Sequence, residues 1–342
     1  MRDYKIVPLI TACILSLSCV ALAADRLLGM VEPVTAKRPY RIALASTDMN
    51  ADFWLGLAYG VVDETSRSGA QMVRVVSAGG FGKVAEQVGQ LEQLGTLGLD
   101  AVVLAPAAFN GYDRVIDRLV SKGTKVISID PMESSKVTFG VIQDDTRIGR
   151  TLGEFVCHQK PNATVITLPG PAGSEWNAHR FAGFKEEAAK CNLNLVGNIF
   201  EGNIALEDGQ RQAADQLLKH PDADYIYAVA GIFSVGVAQE INRMHSKAKV
   251  ITGTFTRRTR DFLKDGTMAV VISEPPIVLG RGAVQYALRL LNGDPLPNVI
   301  KDMVRFPVAI IPNKSVTPAE VDSYDLDAYD LPPVGWKPPQ LQ

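Results

Sequence analysis

The chain has 342 residues, 46% of them apolar and 21% charged, with a formal net charge of −2. That length exceeds one compact core and suits two lobes of ~100–200 residues each. The near-neutral balance excludes the basic surface that nucleic acid or an anionic membrane would need.

At the start, Arg2 and Lys5 lead into the apolar run Ile6 to Val20, followed by Ala21-Leu22-Ala23. This is the pattern of a secretory signal with an A-x-A site, so residues 1–23 are assigned as a signal peptide cut before Ala24, and the mature chain to the periplasm. A membrane anchor fits less well, because Pro8 and several polar residues interrupt a run shorter than the ~20 apolar residues of a span. Ile10-Thr11-Ala12-Cys13 resembles a lipoprotein cleavage box, but it sits early and leaves an apolar stretch behind it. No later segment reaches transmembrane length, so no membrane insertion of the mature chain is expected.

From Tyr40 onward, short β-branched runs alternate with helical patterns. Arg41 to Ser46 reads as a strand, and Phe53, Trp54, Leu57, Val61 and Val62 follow at helical spacing. Met72 to Val76, Ala101 to Ala105 and Lys125 to Asp130 are further strands, separated by helices through Val84, Val88, Leu91 and Leu94 and through Val115, Ile116 and Leu119. After Val137 to Ile142 the same grammar restarts. A helix through Ile148, Leu152, Phe155 and Val156 precedes the strand Thr164 to Leu168, and a helix through Phe181, Phe184 and Ala188 follows it. Strands at Leu195 to Phe200, Tyr225 to Val229, Val250 to Thr254 and Ala269 to Ser273 complete the second set. Strand, helix, strand in this rhythm predicts an α/β fold of two doubly wound parallel-sheet lobes.

Cys157 and Cys191 each end a predicted helix that feeds one of two neighbouring strands. An exported compartment permits a disulfide, and two small buried thiols are the other reading. Beyond Asn313 the composition turns Pro- and Asp-rich, which predicts a tail that cannot continue a sheet and lies over the surface or is partly disordered.

Little here suggests chemistry. His158, His179, His220 and His245 lack ligand spacing, so no metal site is expected. Ser234 in Gly231-Ile-Phe-Ser-Val-Gly236 lacks both the G-x-S-x-G spacing and an evident base, and reads as a small residue opening a helix. Gly79-Gly80-Phe81-Gly82-Lys83 follows a strand but has neither dinucleotide nor Walker spacing. No acid, base and nucleophile converge, so neither enzyme activity nor a cofactor is expected. Aromatic placement is more informative. Phe53-Trp54 and Trp176 follow the first strands of the two lobes, where open α/β sheets bind ligands at the carboxyl ends of their strands.

The ordered series Asn50-Ala-Asp-Phe-Trp54, Ile129-Asp130, Gly140 to Asp145 and Arg180-Phe-Ala-Gly-Phe184 resembles the periplasmic binding proteins related to ribose-binding protein and the ligand domains of the LacI repressors, from about Tyr40 to Pro312. The resemblance implies a type I periplasmic binding protein: two lobes, a three-strand hinge and a cleft that closes on a small molecule. Crossings are expected near Gln143, Glu274 and Arg305. Lobe one is then 24–143 plus 275–304, lobe two 144–274 plus 305–313, and the tail 314–342. Where sugar-binding relatives carry Asn or Asp, this chain has Ala230 or Gly231 and Thr254, which leaves the hydroxyls of a common sugar without partners.

Asp52 to Gly60, Leu168-Pro-Gly-Pro171 with Trp176, and Ser273-Glu274 resemble the branch of that family that detects trimethylamine N-oxide and works with a sensor histidine kinase. That branch implies an aromatic cage of Phe53, Trp54 and Trp176 with Tyr59 nearby, and Asp52 or Glu274 to complement the ligand nitrogen. Asp130 and Thr254-Phe255 at strand ends complete the expected ligand-binding set, although Thr254-Phe255 stands where the branch tends to place Tyr. The expected partners are a small ligand and the periplasmic domain of a kinase. The alternative is delivery of an unusual sugar or other small solute to an ABC transporter.

Overall fold

The computed structural model describes residues 29–129, 137–172 and 174–339. The expected signal peptide, its cleavage site and Asp130 lie outside these residues.

In chain order the first set of elements is β1 (Arg41–Ser46), α1 (Asp52–Arg67), β2 (Gln71–Ser77), α2 (Val84–Leu94), β3 (Ala101–Leu104), α3 (Asp113–Ser121), β4 (Lys125–Ser128) and β5 (Phe139–Ile142). The second is α4 (Asp145–Gln159), β6 (Thr164–Leu168), α5 (Glu175–Lys190), β7 (Asn194–Gly197), α6 (Leu206–Lys219), β8 (Tyr225–Ala228), α7 (Gly231–Met244), β9 (Lys249–Gly253), α8 (Arg257–Lys264) and β10 (Met268–Ser273). The chain then adds α9 (Pro276–Asn292), β11 (Val308–Ile310), β12 (Lys314–Val316) and α10 (Leu326–Tyr329).

Two six-stranded sheets result, ordered β11-β5-β4-β3-β1-β2 and β12-β10-β9-β8-β6-β7. Among the described residues neighbouring strands pair in parallel except β10 with β12, and Ile300 adds an isolated antiparallel bridge to Val308 of β11. The inner strands are buried on both faces, which is why they read as continuous apolar runs rather than as alternation. Helices cover both faces. On α1, Trp54, Leu57, Ala58 and Val61 recur at helical spacing and bury against the first sheet together with α9. The strand order turns at β1, between β2 and β3, and again at β6, between β7 and β8. Both turning points open a crevice at the carboxyl edge of their sheet.

The chain leaves the first sheet at Gln143–Asp144 and returns at Glu274–Pro275. The third crossing lies later than the expected Arg305. Val308–Ile310 pairs with β5, so the chain stays on the first sheet through Ile310 and reaches the second at Lys314. The tail also departs from expectation. Lys314–Val316 adds an antiparallel edge strand to β10, and Val321, Tyr324, Leu326 and Leu331 bury in the second core. Prolines at 332–333 and 338–339 stand after these anchors, so the composition of the whole segment concealed its ordered first half.

Cys157 and Cys191 form a disulfide, with Cα atoms 5.6 Å apart, which decides between the two sequence readings. It ties the ends of α4 and α5 across 34 residues. Replacing both cysteines by serine is expected to lower stability by ~3 kcal/mol through the freer unfolded chain; an unchanged urea midpoint would show that the bridge contributes nothing.

Asp330 of the tail is buried and accepts hydrogen bonds from Ser273 and Tyr324. Burial outweighs those bonds, and nearby Glu274 adds repulsion, so its pKa is pushed up to about 7. An acid whose folded pKa is raised contributes stability at low pH and loses it as pH rises through the folded value. Stability should therefore grow on acidification from about pH 8 to 5. In Asp330→Asn that slope should flatten, and an identical slope in a pH series of urea melts would exclude Asp330 as its source.

Candidate functional site between the lobes

The loops that leave the carboxyl edges of both sheets enclose a cavity of about 720 Å³. From the first lobe come Asp48 and Asn50 to Trp54 after β1, and Gly80 and Phe81 after β2. Gln143 and Glu274 enter from the crossings. The second lobe supplies Asp145, Trp176, Arg180, Ile204, Ala230 to Ile232, Thr254 and Thr256 to Arg258 among others.

Rings and aliphatic groups form opposing walls. Phe53 meets Trp54 edge-on at 4.9 Å, and Trp54 meets Phe81 at 5.8 Å. Trp54 is only 7% exposed, whereas Phe81 is 55% exposed and Ile232, facing from the second lobe, 40%. Trp176 is half-buried and lies over the Arg180 guanidinium at 4.9 Å. Its neighbour Asn177 donates to the carbonyls of Pro169 and Pro171, which holds the Pro169-Gly-Pro171 turn against the start of α5.

At the back of the cavity stands a buried ionic cluster. Arg180 Nη1 donates to Glu274 Oε1 at 2.8 Å, while Nη2 donates to Glu274 Oε2 at 3.2 Å and Asp145 Oδ1 at 2.6 Å. Thr254 Oγ1 adds a bond to Glu274 Oε1 at 3.2 Å, and Gln143 Nε2 donates to the Glu274 backbone carbonyl at 3.1 Å. Burial opposes the charge on Arg180, but Glu274 and Asp145 outweigh it and hold the guanidinium above its ordinary pKa. Burial pushes Asp145 upward despite its bond to Arg180. Gly253 makes room for the cluster, since a Cβ there would lie 2.4 Å from Glu274 Oε1 and 2.6 Å from Arg180 Nη1. Thr254 has φ +64°, in the left-handed region that a β-branched residue adopts at a cost of ~1–3 kcal/mol. That strain falls on a residue that faces the cavity and bonds the cluster.

Asn50 and Arg258 bring side-chain hydrogen-bond donors to the cavity, and three helix starts stand beside them. The starts of α1, α5 and α7, at Ala51, Ser174 and Ala230, have no side-chain cap, and residues of their first turns line the cavity. Uncapped helix starts present unpaired N–H groups and a partial positive charge to whatever occupies the space before them.

Of the expected ligand-binding residues, Asp52, Phe53, Trp54, Trp176, Thr254 and Glu274 line this cavity. Tyr59 does not. It lies five residues beyond Trp54, roughly 140° round the helix, and packs edge-on against Trp336 at 5.4 Å. Phe255 is also turned away, buried against Tyr324 at 4.9 Å. Glu274 does line the cavity, but both its carboxylate oxygens hold Arg180, so it shapes the site as part of an ion cluster. Arg180, Asp145, Gln143, Phe81 and Ile232 were missed as site residues. Arg180 stood within the Arg180-Phe-Ala-Gly-Phe184 motif, whose signal was legible although its role was not. Ser234 opens α7 and bonds the Gly231 carbonyl at 2.7 Å, as expected of a small helix-start residue.

Two α/β lobes joined by chain crossings around a ring-lined cavity define a two-lobed binding protein. The sequence profile of the periplasmic binding protein domain matches residues 42–295, and the chain belongs to that family. TorT of Escherichia coli K12, a periplasmic protein, is 25% identical over 309 residues, covering 90% of this chain and 86% of TorT. TorT solved in complex with the TorS sensor domain in the absence of ligand shares the fold, with a TM-score of 0.76, 18% identity and coverage of 88% of this chain and 100% of that one. The D-ribose/D-allose-binding protein of Pseudomonas aeruginosa is 24% identical over 296 residues, 83% of this chain and 92% of that protein. A substrate-binding protein of a sugar ABC transport system from Bordetella parapertussis superposes with a TM-score of 0.87 at 38% identity, covering 92% of this chain and all of that one.

Arg180→Met should cost ~3 kcal/mol or more, because it strands two carboxylates in a buried site. A loss below ~1 kcal/mol in urea denaturation would mean that water already solvates the cluster.

Proposed function

We propose that this protein is a non-enzymatic periplasmic receptor that captures a small methylated amine oxide, trimethylamine N-oxide or a close relative, between its lobes and signals its presence to a sensor histidine kinase. The observation that carries this reading is the pairing of ring faces with uncapped helix starts around one cavity. A methylated nitrogen carries a positive, weakly hydrated surface that each ring face attracts by ~0.5–2 kcal/mol. The oxide oxygen carries the complementary negative charge, and backbone N–H groups at helix starts suit it. Arg180 and Glu274 bond each other and so offer less to sugar hydroxyls, which would rely on Asp48, Asn50, Asp52 and Arg258 at the same cavity. The partner is proposed from the resemblance to TorT, a protein solved on the TorS sensor domain.

Delivery to a transporter is the second reading, favoured by the 38% identity to the Bordetella parapertussis protein. The cavity serves either role, because capture between lobes is common to both.

Titration calorimetry with trimethylamine N-oxide and a panel of pentoses and hexoses separates the ligand classes. Heat is expected with the N-oxide, and Trp176→Ala should weaken it about tenfold, the loss of one ring contact plus desolvation, with little change in the melting temperature of the unliganded protein. Binding of a sugar with no heat from the N-oxide would overturn the reading.

A further inference from the structure

After β12 the tail follows the second lobe and then leaves it. Asp322 pairs with Lys264 at 2.6 Å, and Asp327 pairs at 2.9 Å with Arg257, which lines the cavity. Asp330, 1% exposed, accepts from Ser273 Oγ at 2.9 Å and from the Tyr324 hydroxyl. Ser273 directly precedes Glu274, whose carbonyl holds Gln143 at the first crossing. The backbone of the same Asp330 meets the first lobe. Its carbonyl oxygen lies so close to Gly56 of α1 that a Cβ there would stand 2.2 Å from it. Tyr329 packs against the apolar cores of both lobes. Leu331 is buried in the second core, and Trp336 then docks on the first, against Tyr59.

We infer that residues 317–339 form a strap, a fourth, non-covalent link between the lobes that limits how far they open when no solute is bound. The three covalent crossings permit rotation, whereas the strap is held on the second lobe by Val321, Tyr324, Leu326 and Leu331 and on the first by Trp336. From Leu331 to Trp336 the chain extends at most ~17 Å. Opening beyond that reach must pull Trp336 or Leu331 out of its packing. Asp330 acts as a positioning residue at the hinge, bracing Ser273 from one side and Gly56 from the other. The strap thereby sets the fraction of molecules in the binding-competent arrangement, and apparent affinity scales with that fraction. This holds for any solute, so it stands apart from the identity of the ligand.

Small-angle scattering of the unliganded protein tests it with two variants. Trp336→Ala removes the first-lobe anchor. A Gly-Ser-Gly-Ser insertion between Pro333 and Val334, where Val334 is 88% exposed, keeps both anchors and lengthens the tether. Both variants are expected to show a larger radius of gyration and maximum dimension than the parent. Scattering identical to the parent in the insertion variant, with or without a lower melting temperature in Trp336→Ala, would overturn the strap and leave the tail a packing element. If Trp336→Ala does not fold, the insertion alone decides.

Discussion

The site depends on one constraint: Arg180 is buried and has to be paired. Its guanidinium comes from α5 in the second lobe, and its partners are Asp145, where the chain has just entered that lobe, and Glu274, where it is about to leave. The cluster therefore sits at the root of two crossings rather than deep in either core. Gly253 is needed to admit it, Thr254 is strained beside it, and Trp176 lies over it. Buried ion clusters rarely add net stability over apolar packing, but unpairing one is costly. The arrangement is thus suited to specifying a geometry, here the back wall of the cavity and the exit of two hinge segments.

Much of the fold was legible because parallel sheets covered on both faces yield short apolar runs spaced by amphipathic helices, as in β1-α1-β2 and again in β6-α5-β7. Two such series imply two lobes, and the carboxyl-edge rule placed Phe53, Trp54 and Trp176 on one cavity. Tyr59 was less legible, because it is close to Trp54 in sequence while helical phase turns it away, onto Trp336. Arg180 was hidden for another reason. A buried arginine reads like any surface arginine until its carboxylates are known, and those lie 35 and 94 residues away.

The tail was the least legible segment. Its prolines and aspartates lower the mean apolarity, so the anchors Tyr324, Leu326, Leu331 and Trp336 are too sparse to register as a period. Phe255 was misassigned for the same reason, since the ring it packs on, Tyr324, belongs to that tail. Asp330 carries no local signal at all. Its burial follows from a hydroxyl pair that the fold brings together from β10 and the tail.

Among the described residues no helix is long and apolar enough to cross a membrane and no cluster of side chains could hold a metal ion. Phe53, Trp54 and Phe81 of the first lobe line one cavity with Trp176, Ile204 and Ile232 of the second. A crystal structure grown with trimethylamine N-oxide tests this most directly. Closed lobes, methyl groups against Phe53, Trp54 and Trp176, and the oxygen before a helix start are expected. An N-oxide bound outside the gap, or lobes closed with those rings turned from it, would contradict the assignment.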